Sequence, residues 1–216
     1  MRRVRLAPRL VCALGFVAAA SNGVAGDLTF GVTLDGKPIG EHRFTITGPT
    51  EAREVESDAR FLVTLLGITV YRYRHQASER WRGNCLSSLT ASTDDDGNAS
   101  RVRAEAADNK LAVATEGASG GLTRSLPACT MSFAYWNPAI QTQTVLLNAQ
   151  SGKAETVRIG RVGGGTVDVR GRAVAATRWR IEGPPQAIDV WYSAQGEWLG
   201  LDSTLEGGRT LAYRLK

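Results

Sequence analysis

The chain has 216 residues and a formal net charge of +5, from 26 Lys+Arg against 21 Asp+Glu, with two histidines and three cysteines. Four of those arginines and no acid fall in the first 26 residues, so residues 27–216 carry a net charge near +1. That balance excludes an electrostatic footprint for nucleic acid, and the few, scattered His and Cys residues show no H-x-H, H-E-x-x-H or cysteine-rich metal spacing.

Arg2, Arg3, Arg5 and Arg9 precede an apolar run, Leu10 to Ala20. That is signal-peptide length and too short to cross a bilayer as a helix. Gly23-Val24-Ala25 supplies small residues for cleavage near Ala25 or Gly26. We therefore expect residues 1–26 to be a signal peptide and residues 27–216 to form a single periplasmic β domain. Export would leave two cysteines, Cys85 and Cys129. In an oxidising compartment an isolated pair is expected to bond, the alternative being two buried free thiols. No histidine follows Cys85 and no CxxC is present, so a catalytic thiol is not supported.

Leu28, Phe30, Val32 and Leu34 alternate with polar or small residues, which predicts a half-buried strand. Asp35-Gly36 predicts a hairpin turn into a strand from Ile39 to Thr47, with a bulge at Gly40. Phe61 to His75 is expected to be one strand, apolar on both faces up to Gly67-Ile68, with Glu79 to Leu89 pairing back on it. Asp94-Asp95-Asp96-Gly97-Asn98 and Asp108-Asn109-Lys110 mark further turns.

Cys129 to Asn148 interrupts the β pattern. Asn137-Pro138 suits a helix start, and Phe133, Trp136, Ile140, Thr144 and Leu147 follow a spacing of three and four. We expect one short helix there, either as a plug against a curved sheet or as a lid over an apolar cavity. A meander follows. Gly163-Gly164-Gly165 is expected to turn between Val157/Ile159 and Val167/Val169, and Thr177, Trp179 and Ile181 alternate next. Ile188, Val190 and Tyr192 form another strand, Leu199, Leu201 and Leu205 share a face, and Leu211, Tyr213 and Leu215 close the chain. This predicts a mainly β fold of ten to twelve antiparallel strands, a curved sheet or open half-barrel meander wrapped on one short helix.

Several motifs are candidates for chemistry. Gly117 to Gly121 matches G-x-S-x-G, but both histidines precede Ser119 and no helix pattern follows it. The Asp94–Asn98 turn lacks the glutamate of a calcium loop, since Arg103 stands there. His42, His75 and Glu79 could form an acid–base cluster only if they converge in one pocket; otherwise each histidine is a hydrogen-bonded core or rim residue. Trp136, Trp179, Trp191 and Trp198 are read either as packing or as the lining of an aromatic groove.

Four stretches carry a family resemblance: Leu34 to Gly40 (LDGKPIG), Leu66 to Tyr71 (LGITVY) with Glu79, Trp81 and Gly83, Ala134 to Pro138 (AYWNP), and Trp191-Tyr192 with Gly196 to Leu201 before Tyr213. Together they resemble the exported bacterial family of unknown function 6134, related in style to the 3108 family of periplasmic β proteins. The resemblance covers Leu28 to Leu215 and brings no activity or catalytic residue with it. It implies a periplasmic curved sheet, similar to lipoprotein-carrier half-barrels, and a lipid ligand.

The sequence thus predicts a non-catalytic binding or carrier protein for an apolar ligand, a lipid or acyl chain, without cofactor or metal. The expected cavity wall is Phe61, Leu65, Tyr71, Tyr73, Phe133, Trp136, Ile140 and Trp179. Arg72 and Arg74 would stand at the rim. The alternatives are an envelope interaction protein with a filled core, in peripheral contact with membrane or envelope proteins, and an enzyme acting on a lipid through His42, His75 and Glu79.

Overall fold

A computed structural model describes residues 26–117 and 120–216. Residues 1–25 of the expected signal peptide, and Ser119 of the G-x-S-x-G pattern, lie outside the described residues. Eight strands come first: β1 (Gly26–Leu34), β2 (Lys37–Thr47), β3 (Arg53–Leu65), β4 (Ile68–Arg82), β5 (Cys85–Asp95), β6 (Asn98–Ala107), β7 (Lys110–Gly117) and β8 (Leu122–Pro127). A central segment follows, with β9 (Met131–Ser132), a 3-10 helix (Pro138–Thr142), β10 (Val145–Leu147) and β11 (Ala154–Thr156). Five more strands complete the chain: β12 (Arg158–Val169), β13 (Arg172–Glu182), β14 (Ile188–Tyr192), β15 (Trp198–Thr204) and β16 (Thr210–Leu215).

Thirteen strands form one antiparallel sheet in the order β12-β13-β14-β15-β16-β1-β2-β3-β4-β5-β6-β7-β8. Each half is a meander, because short polar turns let a strand pair with its sequence neighbour. The last strand joins the first, with Tyr213 opposite Val32, so β1 and β16 lie inside the sheet and β8 and β12 are its edges. The expected β architecture is therefore present.

The central segment lies against the inner face of this sheet. Met131, Ile140, Leu146 and Leu147, none more than 1% exposed, pack with Trp81, Leu86, Leu89, Leu111 and Val113. Trp136 meets Trp81 edge to face, with ring centroids 5.3 Å apart. Cys85, at the start of β5, is disulfide-bonded to Cys129, which leads into this segment.

Four local expectations need correction. The helix of Cys129–Asn148 shrinks to five residues of 3-10 helix. Asn137 does cap it, its side chain accepting from the Ala139 N–H at 3.0 Å. The flanking β9 and β10 pair with each other in parallel instead of extending the helix, as the β-branched Thr142, Thr144 and Val145 favour. Phe61–His75 is not one strand: Leu66, at φ 51°, and Gly67, at φ 80°, turn the chain between β3 and β4. Gly163–Gly165 is no turn but part of β12, with a register shift between Arg161 and Gly163. The reversal comes at Arg170 and Gly171, both in the left-handed region.

The fourth correction concerns β15. A register shift at Trp191/Tyr192 leaves Leu199 without an opposite residue, so Trp198 and Leu201 both face the main core. Leu199 points to the other side and joins Val167, Ala176 and Trp191 in a second, smaller cluster. The β12–β13 hairpin tip folds onto the outer face of β14–β15. That is why apolar residues occupy both faces of the last strands.

The bulge expected near Gly40 is present: Val32 pairs with Gly40 and Thr33 with Pro38, leaving Ile39 extra. A Cβ at Gly40 would lie 1.9 Å from the Arg60 carbonyl oxygen, and its φ is 151°. Only glycine lets β2 and β3 approach so closely there.

Candidate functional site: an aromatic cavity on small residues

Alternation along β3 and β4 points Val55, Ser57, Ala59 and Phe61, and Tyr73, His75, Ala77 and Glu79, to the inside. Their cross-strand pairs are Phe61↔Tyr73, Ala59↔His75, Ser57↔Ala77 and Val55↔Glu79. The middle of this patch, Ser57, Ala59 and Ala77, carries only small side chains. Larger residues there would fill the space beneath the central segment. Instead a cavity of about 420 Å³ remains, within the range of small-ligand sites.

Phe44, Tyr73, Phe133, Tyr135, Trp136, Trp198 and Tyr213 supply most of the wall, with Val55, Ile188 and Leu201. Asn148 to Gln150 and Pro184 to Gln186 also line it, and of these Gln150 and Pro185 are solvent-exposed, which marks the mouth. No arginine or lysine lines the cavity among the described residues.

Among the polar groups of the lining, His42, His75, Glu79 and Ser132 stand with Ser57, Ser203, the Asn148, Gln150 and Gln186 amides and the tyrosine hydroxyls. His42 and His75 share one hydrogen-bonded row with Ala59 between them, so their backbones lie about 10 Å apart. His75 Nδ1 is 2.9 Å from Thr93 Oγ1. The His42 ring packs on Phe44 at 4.1 Å and lies 5.9 Å from the Tyr213 ring. His42 Nε2 is buried without a hydrogen-bond partner among the described residues. Burial, reinforced by His75, pulls His42 down to about 3. Burial pulls His75 down to about 4. Both rings are therefore neutral at pH 7.

Burial pushes the Glu79 carboxyl up to about 7, against the opposing pull of the nearby Ser132 hydroxyl and the Trp81 indole. The Trp81 Nε1–H donates to Glu79 at 2.9 Å. The Ser132 hydroxyl lies close by, yet no hydrogen bond of ordinary geometry reaches it. Burial also raises the phenols of Tyr73, Tyr135 and Tyr213, which influence one another and stay protonated donors. The cavity is thus an apolar chamber holding neutral donors and acceptors and one carboxyl near its titration point.

Tyr73, Phe133 and Trp136, predicted as wall residues, do line the cavity. Phe61 stands behind Tyr73, stacked at 5.2 Å, and does not line it. Ile140 is 1% exposed in the filled part of the core. Trp179 is half-buried against that core, away from the cavity. Tyr71 donates to Asp95 at 2.6 Å outside it, and Leu65 is exposed near the β3–β4 tip. Arg72 and Arg74 are exposed and do not line it either. His42, His75 and Glu79 converge on the cavity, but none hydrogen-bonds another: His75 is engaged by Thr93 and Glu79 by Trp81. Trp198, one of the tryptophans that packing or an aromatic groove could claim, lines the cavity, whereas Ser57, Ala59, Ala77, Tyr135 and Tyr213 line it without having been singled out from the sequence as wall residues. Ser57 and Ala59 left a signal, small residues at the inward positions between Val55 and Phe61, and Ala77 holds the inward position between His75 and Glu79 on β4.

Comparison with known proteins gives a family without a known activity. No protein of curated function matches the sequence. Among solved structures, the fold is similar to the crystal structure of a beta-barrel-like protein of domain of unknown function DUF1849 from Brucella abortus. That similarity has a TM-score of 0.63 at 13% identity, covering 88% of this chain and 94% of the other. The profile of the domain of unknown function DUF6134 matches residues 30–216, and the chain belongs to that family.

Proposed function

We propose that this DUF6134 protein is a periplasmic, non-catalytic carrier for an apolar ligand, a lipid or acyl chain bearing a neutral polar group. The observation that carries the reading is the aromatic cavity of about 420 Å³ over Ser57, Ala59 and Ala77. A filled interior would have favoured an interaction protein instead. Burial of apolar ligand surface, at about 25 cal/mol per Å², supplies affinity without any catalytic group. The buried, unpartnered His42 Nε2 offers a ligand head one hydrogen bond. Among the described residues no cation lines the cavity to compensate a carboxylate, whose burial unpaired is costly. The disulfide and the leader-like N-terminus support export.

Displacement of the neutral fluorophore N-phenyl-1-naphthylamine tests this. A long-chain alcohol or methyl ester should displace it, and the matching carboxylate at pH 8 should do so about tenfold or more weakly. Ala59→Phe should fill the chamber floor and weaken probe binding about tenfold or more. Equal affinity for the carboxylate would remove the neutral-head part of the reading. Probe binding unchanged by Ala59→Phe would remove the cavity itself. Turnover of an ester that His42→Ala or His75→Ala abolishes would replace the carrier with the enzyme.

A further inference from the structure

The β3–β4 hairpin outruns the sheet. Pairing of β2 with β3 ends at Gly40↔Phe61, and pairing of β5 with β4 ends at Tyr73↔Asp95. Beyond Phe61 and Arg72 the two strands hydrogen-bond mainly to each other. This projection carries no charge from Phe61 to Tyr71. It exposes Leu62 (46%), Leu65 (63%), Leu66 (95%), Ile68 (69%) and Val70 (51%), five of the seven large exposed hydrophobics among the described residues. Leu62 and Leu65 have opposite parity on β3, so both faces of the hairpin are apolar, as well as its turn.

We propose that this tip docks on a lipid surface. A protein partner meets one face, and a stable second-copy interface needs about 800 Å² per partner. One face of a two-stranded tip offers only two or three of these side chains. A lipid interface surrounds both faces at once. The tip is continuous with the cavity, because Phe61 at its root stacks on Tyr73, which lines the chamber. The choice of lipid over protein leans on the carrier reading; the exposed tip does not.

The geometry limits the depth. Four residues beyond Phe61 reach about 13 Å, and interfacial elements settle about 5–10 Å into the headgroup boundary. The outer backbone edges of the tip have no strand beside them, which keeps them out of dry hydrocarbon. Charges at the root are mixed: exposed Arg60, Arg72 and Arg74 stand with Asp58, Asp95 and Asp96, and Arg60 pairs with Asp58 at 2.7 Å. Attachment is therefore hydrophobic rather than electrostatic.

Flotation of the purified chain with phosphatidylcholine vesicles, with and without phosphatidylglycerol, tests the proposal. The chain should float with both. Raising salt from about 0.05 to 0.5 M should change partitioning less than about threefold. The double variant Leu66→Asp, Ile68→Asp should lose about tenfold or more, with its thermal midpoint retained, because both side chains face solvent. Leu66→Trp should show a blue-shifted emission on vesicles. Ala59→Phe should float like the parent, which separates failure of the cavity from failure of the tip. A parent chain that stays at the bottom of the gradient, or a double variant that floats equally, would overturn the proposal. So would a concentration-dependent dimer, abolished by the double variant, in place of flotation.

Discussion

Replacing Cys85 and Cys129 together by alanine is expected to destabilise the chain by about 4 kcal/mol. The bond closes a loop with a sequence separation of 44 residues. Opening it returns that loop's entropy to the unfolded chain, and in the chain-entropy model a loop of this size accounts for the stated figure. The two cysteines stand where β5 begins and where the chain leaves β8 for the central segment. The bond therefore holds the plug to the wall that it packs against. Urea unfolding of the double variant, beside the parent with and without reductant, measures the effect. The variant and the reduced parent should share one lowered midpoint. A reduced parent as stable as the oxidised one would mean that the crosslink contributes nothing in solution.

Glu79→Gln should stabilise the protein at pH 8 and leave it nearly unchanged at pH 4. Burial holds the folded carboxyl at about 7, above its ordinary value of 4.5. Below about pH 4.5 both folded and unfolded chains hold the proton, and the group costs nothing. Between 4.5 and 7 the unfolded chain releases its proton first, so stability falls as pH rises. Above 7 the loss is complete, on the order of 3 kcal/mol at about 1.4 kcal/mol per pH unit. Glutamine keeps an acceptor for the Trp81 indole and never titrates. His42 and His75 act in the opposite sense, their lowered folded values removing stability as pH falls below 6.5. Comparing variant with parent at each pH cancels them. Urea midpoints at pH 4, 6 and 8 decide the matter, and a difference flat across that range would place the Glu79 carboxyl in water.

Several strands of the first half were legible because each has one wet face, whereas residues 53–60 carried no strand expectation and the strand expected from Glu79 to Leu89 is divided by the turn at Gly83-Asn84 between β4 and β5. Phe30, Val32 and Leu34 alternate with less buried neighbours, and they are buried as the period-two pattern requires. The pattern failed where both faces are apolar. In Phe61–Tyr71 the cause is a hairpin that leaves the sheet. In the last strands the cause is a second small core, which takes Leu199 and Trp191 to the outer side. The central segment misled for another reason: a spacing of three and four arises equally when a 3-10 turn and two short strands each bury a residue or two.

The candidate site was legible in its aromatics and not in its shape. Tyr73, Phe133 and Trp136 were identified, whereas Phe61, Leu65, Tyr71, Ile140 and Trp179 were assigned to a wall that they do not form. An inward parity shows that a side chain leaves the solvent, not whether it meets another side chain or empty space. That difference depends on what the facing element brings.

By itself the sequence determined the β meander, most turns, the Asn137 cap and the two cysteines able to bond, because these follow from local backbone preference, period-two patterning and residue chemistry. Only the tertiary structure decided that β16 closes onto β1, that His42, His75 and Glu79 line one cavity, and that Ser57, Ala59 and Ala77 leave a chamber. Those outcomes depend on pairings between residues far apart in the chain, where register and side-chain volume are set jointly by elements that no local pattern links.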